Sequence, residues 1–219
     1  MVPLLAAACG SADAPRTQAA PVTVPQSQAQ PERSGAPRRI VFLGDSLTAG
    51  LGLPREQAVP SLIQDRLAAE GYSYEVINAG VSGDTSAGGL SRLDWSLDGD
   101  VEVLVIELGA NDGLRGLPVP QMKRNLDEII TRAKARDITV ILTGMEAPPN
   151  YGPLYTAEFR EAFRDLADDH DVIFVPFYLA GVAGTASLNQ RDGIHPNAEG
   201  SRIIAGMIWQ NLEPVLDKD

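Results

Sequence analysis

Several residue types are scarce in this chain of 219 residues, and each scarcity excludes a class of protein. Cys9 is the single cysteine, so neither an intrachain disulfide nor a thiolate-rich zinc site can form. With 18 basic against 29 acidic residues and a net charge of -11, the chain lacks the clustered positive charge that binds nucleic acid. Histidine occurs only as His170 and His195, which limits the candidates for an imidazole base to two.

Three nucleotide- and hydrolase-type motifs are also missing. No G-x-x-x-x-G-K-[ST] sequence marks a P-loop, and no G-x-S-x-G marks the nucleophile turn of α/β-hydrolases. The stretch GLGLPR at 50–55 begins like a dinucleotide fingerprint but ends in arginine. Asp192 and His195 could ligate a metal, yet two ligands without further His or Cys make a poor site. We therefore expect no cofactor.

The amino-terminal 37 residues differ in composition from the rest of the chain. MVPLLAAAC, residues 1–9, resembles the end of a secretory signal with the lipobox of bacterial lipoproteins, in which the cysteine is lipidated. That resemblance implies an exported protein, periplasmic or held at the cell envelope through Cys9; the alternative is a mildly apolar, disordered terminus. Residues 10–37 are rich in Ala, Pro, Gln and Ser, a composition that favours a disordered linker or tail.

From residue 38 to 219 the sequence alternates between apolar runs and amphipathic stretches, which indicates one α/β domain. The apolar runs at 39–43, 74–78, 101–108, 138–144 and 172–176 predict strands buried on both faces. Helical spacing predicts helices with apolar faces between them, formed by Val59, Leu62, Ile63 and Leu67; by Met122, Leu126, Ile129, Ile130 and Ala133; by Phe159, Phe163 and Leu166; and by Ile204, Met207, Ile208 and Leu212. Pro196 is expected in the first turn of the last helix. Strands that alternate with helices predict a parallel sheet covered by helices on both faces.

Candidate functional residues follow four of the five predicted strands. Ligands of such sheets bind at the carboxyl ends of the strands, so these residues are expected to converge. They are Ser46 in GDSL, Gly80 in NAGVSGDTS, Asn111 in GAND, and Asp192 and His195 in RDGIHP. Their convergence favours a nucleophilic serine at position 46 over a simple turn residue.

These four blocks, in this order, resemble the SGNH or GDSL hydrolases over about residues 38 to 216. The strings GDTSAGGLSRL, ELGANDGLRG and PPNYG are most similar to the bacterial periplasmic thioesterase, lysophospholipase and arylesterase branch. The resemblance implies a flavodoxin-like three-layer αβα sandwich with a five-stranded sheet in the order 2-1-3-4-5.

A serine hydroxyl needs a base to become a nucleophile, and His195 is the better candidate for that base. Asp192, three residues earlier, can orient its ring, whereas His170 lies at a polar helix end where a surface role is expected. Asp45 is a rival acid, but as the neighbour of Ser46 it is badly placed to reach the far side of the ring, and a role in pinning the turn is preferred. The non-catalytic alternatives are an N-cap role for Asp192 and a packing role within the loop for His195.

By resemblance, the oxyanion formed during acyl transfer is bound by the backbone N–H groups of Ser46 and Gly80 and by the side-chain amide of Asn111. Turn-forming roles are the alternative for Gly80 and Asn111. The loop after the fourth strand offers Met145, Pro148, Pro149 and Tyr151 as walls of an acyl channel, or simply as a cap on the sheet.

The sequence thus predicts a serine hydrolase for small acyl esters or thioesters that works through an acyl-Ser46 intermediate. A carbohydrate O-acetylesterase is an alternative within the same family, and a non-catalytic lipid-binding lipoprotein is an alternative from another class. No nucleic acid is expected as a partner.

Overall fold

The computed structural model separates the chain into two units, Met1–Ser34 and Gly35–Asp219. It describes Met1, Pro3 and residues 37–218, and all that follows concerns the second unit. Cys9 and nearly all of the predicted linker lie outside the described residues, so both stay predictions.

A five-stranded parallel sheet forms the centre of the domain. Its strands are β1 (Arg38–Gly44), β2 (Tyr74–Gly80), β3 (Val101–Glu107), β4 (Thr139–Thr143) and β5 (Ile173–Val175). Their order is β2-β1-β3-β4-β5 with every pairing parallel, which confirms the predicted fold. Residues 40–43 of β1 and 103–106 of β3 are completely buried, because the continuous apolar runs pack against helices on both faces.

Helices connect the strands and cover the sheet. They are α1 (Ser46–Ala49), α2 (Val59–Glu70), α3 (Ser86–Ser91), α4 (Leu93–Ser96), α5 (Ala110–Leu114), α6 (Val119–Lys134), α7 (Pro153–His170) and α8 (Ala198–Leu212). The apolar faces predicted for α2, α6, α7 and α8 point into the hydrophobic core of the domain. Leu62 and Met207 on these faces are only partly buried.

The start of α8 differs from the prediction. Asn197 caps this helix, its side-chain oxygen accepting the N–H groups of Glu199 and Gly200. Pro196 precedes the cap and forms an antiparallel bridge with Asn189 instead of lying in the first turn. The prediction for Pro196 is therefore wrong, and Asp192 is not the cap of the helix either.

The outer strand β2 has part of its free edge covered by one side chain of α2. The Gln64 amide donates to the carbonyl of Tyr74 at 3.1 Å and accepts the N–H of Val76 at 2.7 Å. Gln64 thus supplies the donor and acceptor that a further strand would otherwise offer.

In the part of the chain that the structure covers, no helix has both the length and the apolar character needed to cross a bilayer.

The carboxyl ends of β1 and β2 are held together by one arginine. Arg92 donates to the carbonyl of Gly44 at 2.8 Å and to that of Ala79 at 2.7 Å, and it pairs with Asp84 at 2.7 Å. The loops that leave these two strands therefore start from fixed positions.

Candidate active site

Ser46 lies at the start of a single helical turn, directly after β1. Asp45 caps this turn, because its Oδ1 accepts the N–H of Leu47 at 3.0 Å. The cap holds Ser46 partly exposed at the carboxyl edge of the sheet while its neighbours Asp45 and Leu47 are buried. The expected role of Asp45 in pinning the turn is confirmed.

The side chains of Ser46, His195 and Asp192 form one hydrogen-bonded chain. The Oγ of Ser46 lies 2.9 Å from Nε2 of His195, and Nδ1 of His195 lies 2.8 Å from Oδ2 of Asp192. With a proton on Nδ1, that nitrogen donates to the carboxylate, and Nε2 is free to accept the proton of Ser46. A nucleophile, a base and an orienting carboxylate are thus within bonding distance, as general-base activation of serine requires.

The loop that carries the histidine is closed by its own backbone and tied to the serine side of the site. The N–H of Gln190 donates to the carbonyl of His195 at 2.7 Å. The side chain of Gln190 donates to the carbonyl of Leu51 at 2.6 Å and to that of Pro196 at 3.0 Å. These bonds fix the distance between the loop after β1 and the loop before α8.

Asp192 is stabilised as an anion although its side chain is 46% exposed. The N–H of His195 lowers its pKa first, followed by the His195 ring and the N–H of Ile194, and together they bring this pKa to about 2. Asp192 is therefore charged at neutral pH and can stabilise an imidazolium at His195.

Donors for an oxyanion lie beside Ser46. Ser46 and Asn111 line the same cavity as His195. Among residues 37–218 the backbone N–H of Ser46 has no protein acceptor. Asn111 uses one amide hydrogen to reach Oδ2 of Asp45 at 2.8 Å, which orients the group and leaves its second hydrogen for a ligand.

The structure contradicts the prediction that Gly80 is an oxyanion donor. Its N–H donates to the side chain of Asn78 at 3.0 Å, and Gly80 does not line the cavity. Its small size has another purpose, since a Cβ here would lie 2.3 Å from the backbone nitrogen of Ala49. Gly80 allows the end of β2 to approach α1.

Gly83, three residues further along the same motif, is in the position that the prediction gave to Gly80. It lines the cavity with Ser46 and Asn111, and its N–H has no acceptor within the described part of the chain. Arg115 holds its carbonyl at 2.8 Å. The motif contains two glycines, and spacing alone does not separate the one that packs from the one that faces the ligand.

A buried network joins this loop to the segment that carries Asn111. Asp112 accepts the N–H of Ser86 at 2.8 Å and its hydroxyl at 2.7 Å. Asn125 of α6 donates to the same hydroxyl at 2.9 Å. Asp112 therefore fixes α5 against the beginning of α3, so that Gly83 and Asn111 keep a constant relative position.

The cavity has a volume of about 440 Å³ and a largely apolar wall. Met145 and Pro148 line it as predicted, whereas Pro149 and Tyr151 do not. Tyr151 belongs to a short turn at Pro149–Tyr151, and its hydroxyl donates to the carbonyl of Leu114 at 3.0 Å. The predictions for Pro149 and Tyr151 are therefore wrong.

The sequence interpretation missed the wall formed after β5. This wall contains Phe177, Leu179 and Ala183, whereas the predicted loop follows β4. A signal was present, because PFYLAGVAG follows a strand and its residues must also lie at the carboxyl edge of the sheet.

His170 lies away from this site. It ends α7 just before β5 begins, at the amino edge of the sheet, and its Nε2 lies 2.7 Å from Asp127. The surface role that its sequence context favoured agrees with this position.

Serine, histidine and aspartate in hydrogen-bonded order, with an amide and backbone donors around one cavity, define the class of serine hydrolases. The model of the GDSL-like lipase/acylhydrolase family matches residues 42–203, and this chain belongs to that family. It is an ester-hydrolysing enzyme.

Relatives with curated names support the same assignment. The chain is 43% identical to the esterase TesA of Pseudomonas aeruginosa over 185 residues, 84% of this chain and 92% of the relative. It is 39% identical to an arylesterase of Vibrio mimicus over 82% of this chain and 90% of the relative. Identity to the thioesterase 1/protease 1/lysophospholipase L1 of Escherichia coli is 35%, over 85% and 89%.

Solved structures agree with the fold. The crystal structure of TesA is similar with a TM-score of 0.77 at 43% identity, covering 82% of this chain and 99% of that one. The esterase EstA from Pseudoalteromonas sp., in a structure inhibited by monoethylphosphonate, also has a TM-score of 0.77 at 37% identity, covering 80% and 97%.

Proposed function

We propose that this protein hydrolyses carboxylic esters and acyl thioesters through an acyl intermediate on Ser46. The observation that carries the proposal is the chain of hydrogen bonds from Ser46 through His195 to Asp192, at 2.9 and 2.8 Å, beside an apolar cavity. The names of the relatives, which include esterase, arylesterase and thioesterase, support the same substrate class.

In the first half-reaction Oγ of Ser46 attacks the carbonyl carbon of the substrate while Nε2 of His195 takes the hydroxyl proton. The tetrahedral oxyanion accepts hydrogen bonds from the N–H groups of Ser46 and Gly83 and from the amide of Asn111. Asp192 stabilises the imidazolium that forms. The bond to the leaving group then breaks, and His195 gives its proton to the departing alcohol or thiol.

Water completes the cycle. His195, neutral again, takes a proton from a water molecule while the oxygen of that water attacks the acyl carbon. When this second tetrahedral intermediate collapses, the carboxylic acid leaves and the proton returns to Oγ of Ser46. Every proton that leaves an attacking oxygen is thus received and returned by Nε2 of His195.

The cavity supports an acyl chain as the group that it accommodates. Met145, Phe177 and Leu179 contribute apolar surface next to the nucleophile. A carbohydrate O-acetylesterase needs a pocket closed behind the acetyl group, whereas a cavity of about 440 Å³ leaves space for a longer chain.

The test is the variant Ser46→Ala with a p-nitrophenyl ester. Loss of the nucleophile should lower kcat/KM by at least about 10⁴-fold without unfolding the domain. Ser91→Ala, on the surface of α3, is the matched control and should keep full activity. An organophosphonate should label wild-type protein at Ser46. Labelling at another residue, or turnover by the alanine variant, would refute the assignment.

We also propose that the mature protein is an exported lipoprotein of the cell envelope, anchored through Cys9. The proposal rests on the resemblance of residues 1–9 to a lipobox. Two or three acyl chains anchor a protein stably, while a single one is marginal. Full-length protein made in a bacterial envelope should follow the detergent phase and Cys9→Ser should follow the aqueous phase, with Ser11→Ala as control. Equal partitioning of all three removes this proposal.

A further inference from the structure

Glu107, the last residue of β3, lies directly beneath the turn that carries the nucleophile. Its side chain is completely buried. Oε2 accepts the backbone N–H of Asp45 at 3.2 Å and the hydroxyl of Thr48 at 2.8 Å. Gly44 makes this contact possible, since a Cβ there would lie 2.7 Å from the same oxygen. The carboxyl group thus holds the backbone before Ser46 and a side chain after it, and Glu107 does not line the cavity.

Asp45 places a second buried carboxyl group beside the first. It is 1% exposed, and its two oxygens accept the N–H of Leu47 and the amide of Asn111. Burial raises the pKa of both carboxyl groups, and the charge of Asp45 raises that of Glu107 further, whereas the hydrogen bonds that Asp45 accepts oppose the rise of its own pKa. The two carboxyl groups therefore share one dry site, and Asp45 is the one that orients the amide of Asn111.

The groups that face this pair show which carboxyl holds the proton. Asp45 receives two N–H donors and feels the nearby His195, all of which stabilise its anion against burial. The second oxygen of Glu107, Oε1, has no hydrogen-bond donor among residues 37–218. Burial, followed by the charge of Asp45, raises the pKa of Glu107 well above its usual range.

The remaining neighbour of the pair is Tyr178, which is completely buried and adds no charge. Its hydroxyl has no hydrogen-bond partner in the described part of the chain, and burial together with Glu107 and Asp45 raises its pKa well above the usual value. Two adjacent carboxylates in a dry site repel each other strongly. The contacts are therefore consistent with a single negative charge among Asp45, Glu107 and Tyr178.

We propose that Glu107 is a positioning residue that works as a neutral carboxylic acid. One oxygen, Oε2, holds the backbone of the nucleophile turn at Asp45. Because Glu107 carries no charge, the neighbouring Asp45 can carry the single negative charge that orients the amide of Asn111. This inference rests on the proposed roles of Ser46 and Asn111. Neutrality matters because a second negative charge behind the amide would oppose the oxyanion that the site has to stabilise.

The test compares two replacements of Glu107. Glu107→Gln is neutral and keeps an acceptor for the N–H of Asp45 and for the hydroxyl of Thr48, so kcat should stay within about threefold of wild type. Glu107→Leu removes both, and kcat should fall by about 30-fold or more with KM within twofold. Glu75→Gln, a partly exposed strand glutamate paired with Arg39, is the matched control for the change of charge.

Two outcomes overturn the proposal. If the glutamine variant is as impaired as the leucine variant, the site needs a charged Glu107. If the leucine variant is as active as wild type, Glu107 positions nothing. Ser46→Ala, measured alongside, separates these results from a failure of the proposed function itself.

Infrared difference spectroscopy gives a second measurement that needs neither turnover nor the leucine variant. Wild-type protein at neutral pH should show the carbonyl stretch of a buried protonated carboxyl group, and this band should vanish in Glu107→Gln and persist in Glu75→Gln. Absence of the band from wild-type protein contradicts a neutral Glu107, whatever the activities are. At alkaline pH the band should disappear together with activity in wild type, while the glutamine variant keeps its rate.

Discussion

The two sides of Ser46 hold carboxyl groups in opposite environments. On the outer side, Asp192 lies in an exposed loop, and hydrogen bonds lower its pKa to about 2. On the inner side, Asp45 and Glu107 lie in the core of the sheet, where burial raises the pKa of both. The outer site keeps a charge that stabilises an imidazolium, whereas the inner site limits negative charge next to an oxyanion. The same functional group therefore serves opposite purposes according to its solvation and its donors.

The outer side is tested most severely by Asp192→Asn. The amide would donate to Nδ1 instead of accepting from it, so the histidine would present the wrong tautomer to Ser46. We expect kcat/KM to fall by about 10³–10⁴-fold with an unchanged fold. Asp65→Asn, an exposed aspartate on α2, should retain full activity. A loss below tenfold in Asp192→Asn would show that the outer carboxylate is dispensable.

The inner side is tested next by Asn111→Ala, which removes the amide that Asp45 orients. Loss of one oxyanion donor should lower kcat by about 10²–10³-fold with little change in KM. Asn211→Ala on α8, where the amide bonds only to the carbonyl of Met207, is the control. If KM rises while kcat is retained, Asn111 binds the ground state and the inner carboxyl pair supports no oxyanion site.

A third measurement concerns the apolar wall of the cavity next to Ser46. Each methylene buried there should add up to about 0.8 kcal/mol, or about fourfold in kcat/KM, until the cavity is full. We expect p-nitrophenyl butyrate and octanoate to exceed acetate. Ala183→Phe should reduce octanoate turnover more than acetate turnover, while Ala186→Phe, outside the cavity lining, should not. Activity confined to acetate would favour the O-acetylesterase alternative.

The smallest expected effect is on the free energy of unfolding. Its dependence on pH should have opposite signs for Asp192 and for Glu107. Asp192 has a lowered pKa, so its contribution is present above the unfolded value of 3.8 and is lost as the pH falls towards about 2. Glu107 has a raised pKa in the folded protein. Its contribution to stability is therefore present at low pH and is lost as the pH rises through this folded-state pKa. The Tm deficit of Asp192→Asn should therefore shrink on acidification.

The complementary prediction for the inner side is that Glu107→Gln gains Tm relative to wild type as the pH rises. Differences of a few degrees are expected for both variants, measured by thermal scans between pH 3 and pH 10. A parallel pH dependence of the two variants would contradict the contrast between the two environments.

Much of the fold followed from the sequence because its signals are local. Buried strands appear as continuous apolar runs and helices as a repeated apolar spacing, so the order of elements could be predicted. Ser46, Asp192 and His195 could be predicted because each follows a strand or precedes the last helix, where a parallel sheet brings residues together.

Three of the differences between prediction and structure have a common physical origin. Gly80 and Gly83 are alike in sequence, and only the approach of Ala49 and the side chain of Asn78 assign packing to the first. Tyr151 was assigned to the cavity, but its bond to Leu114 depends on a neighbouring loop. Glu107 was interpreted only as the end of an apolar strand, although a glutamate at such a position requires a partner. A contact with a distant segment takes part in all three, and no local pattern encodes that contact.

The side chain of Gln64 has a consequence for the behaviour of the protein at high concentration. An uncovered outer strand is a template for aggregation, because its free backbone groups can pair with a strand of another copy. At one edge the amide of Gln64 already occupies the carbonyl of Tyr74 and the N–H of Val76. At the other edge β5 is only three residues long and offers little to pair with. The enzyme must expose apolar surface to its substrates at the mouth of the cavity. Both sheet edges nevertheless limit self-association by strand pairing between copies.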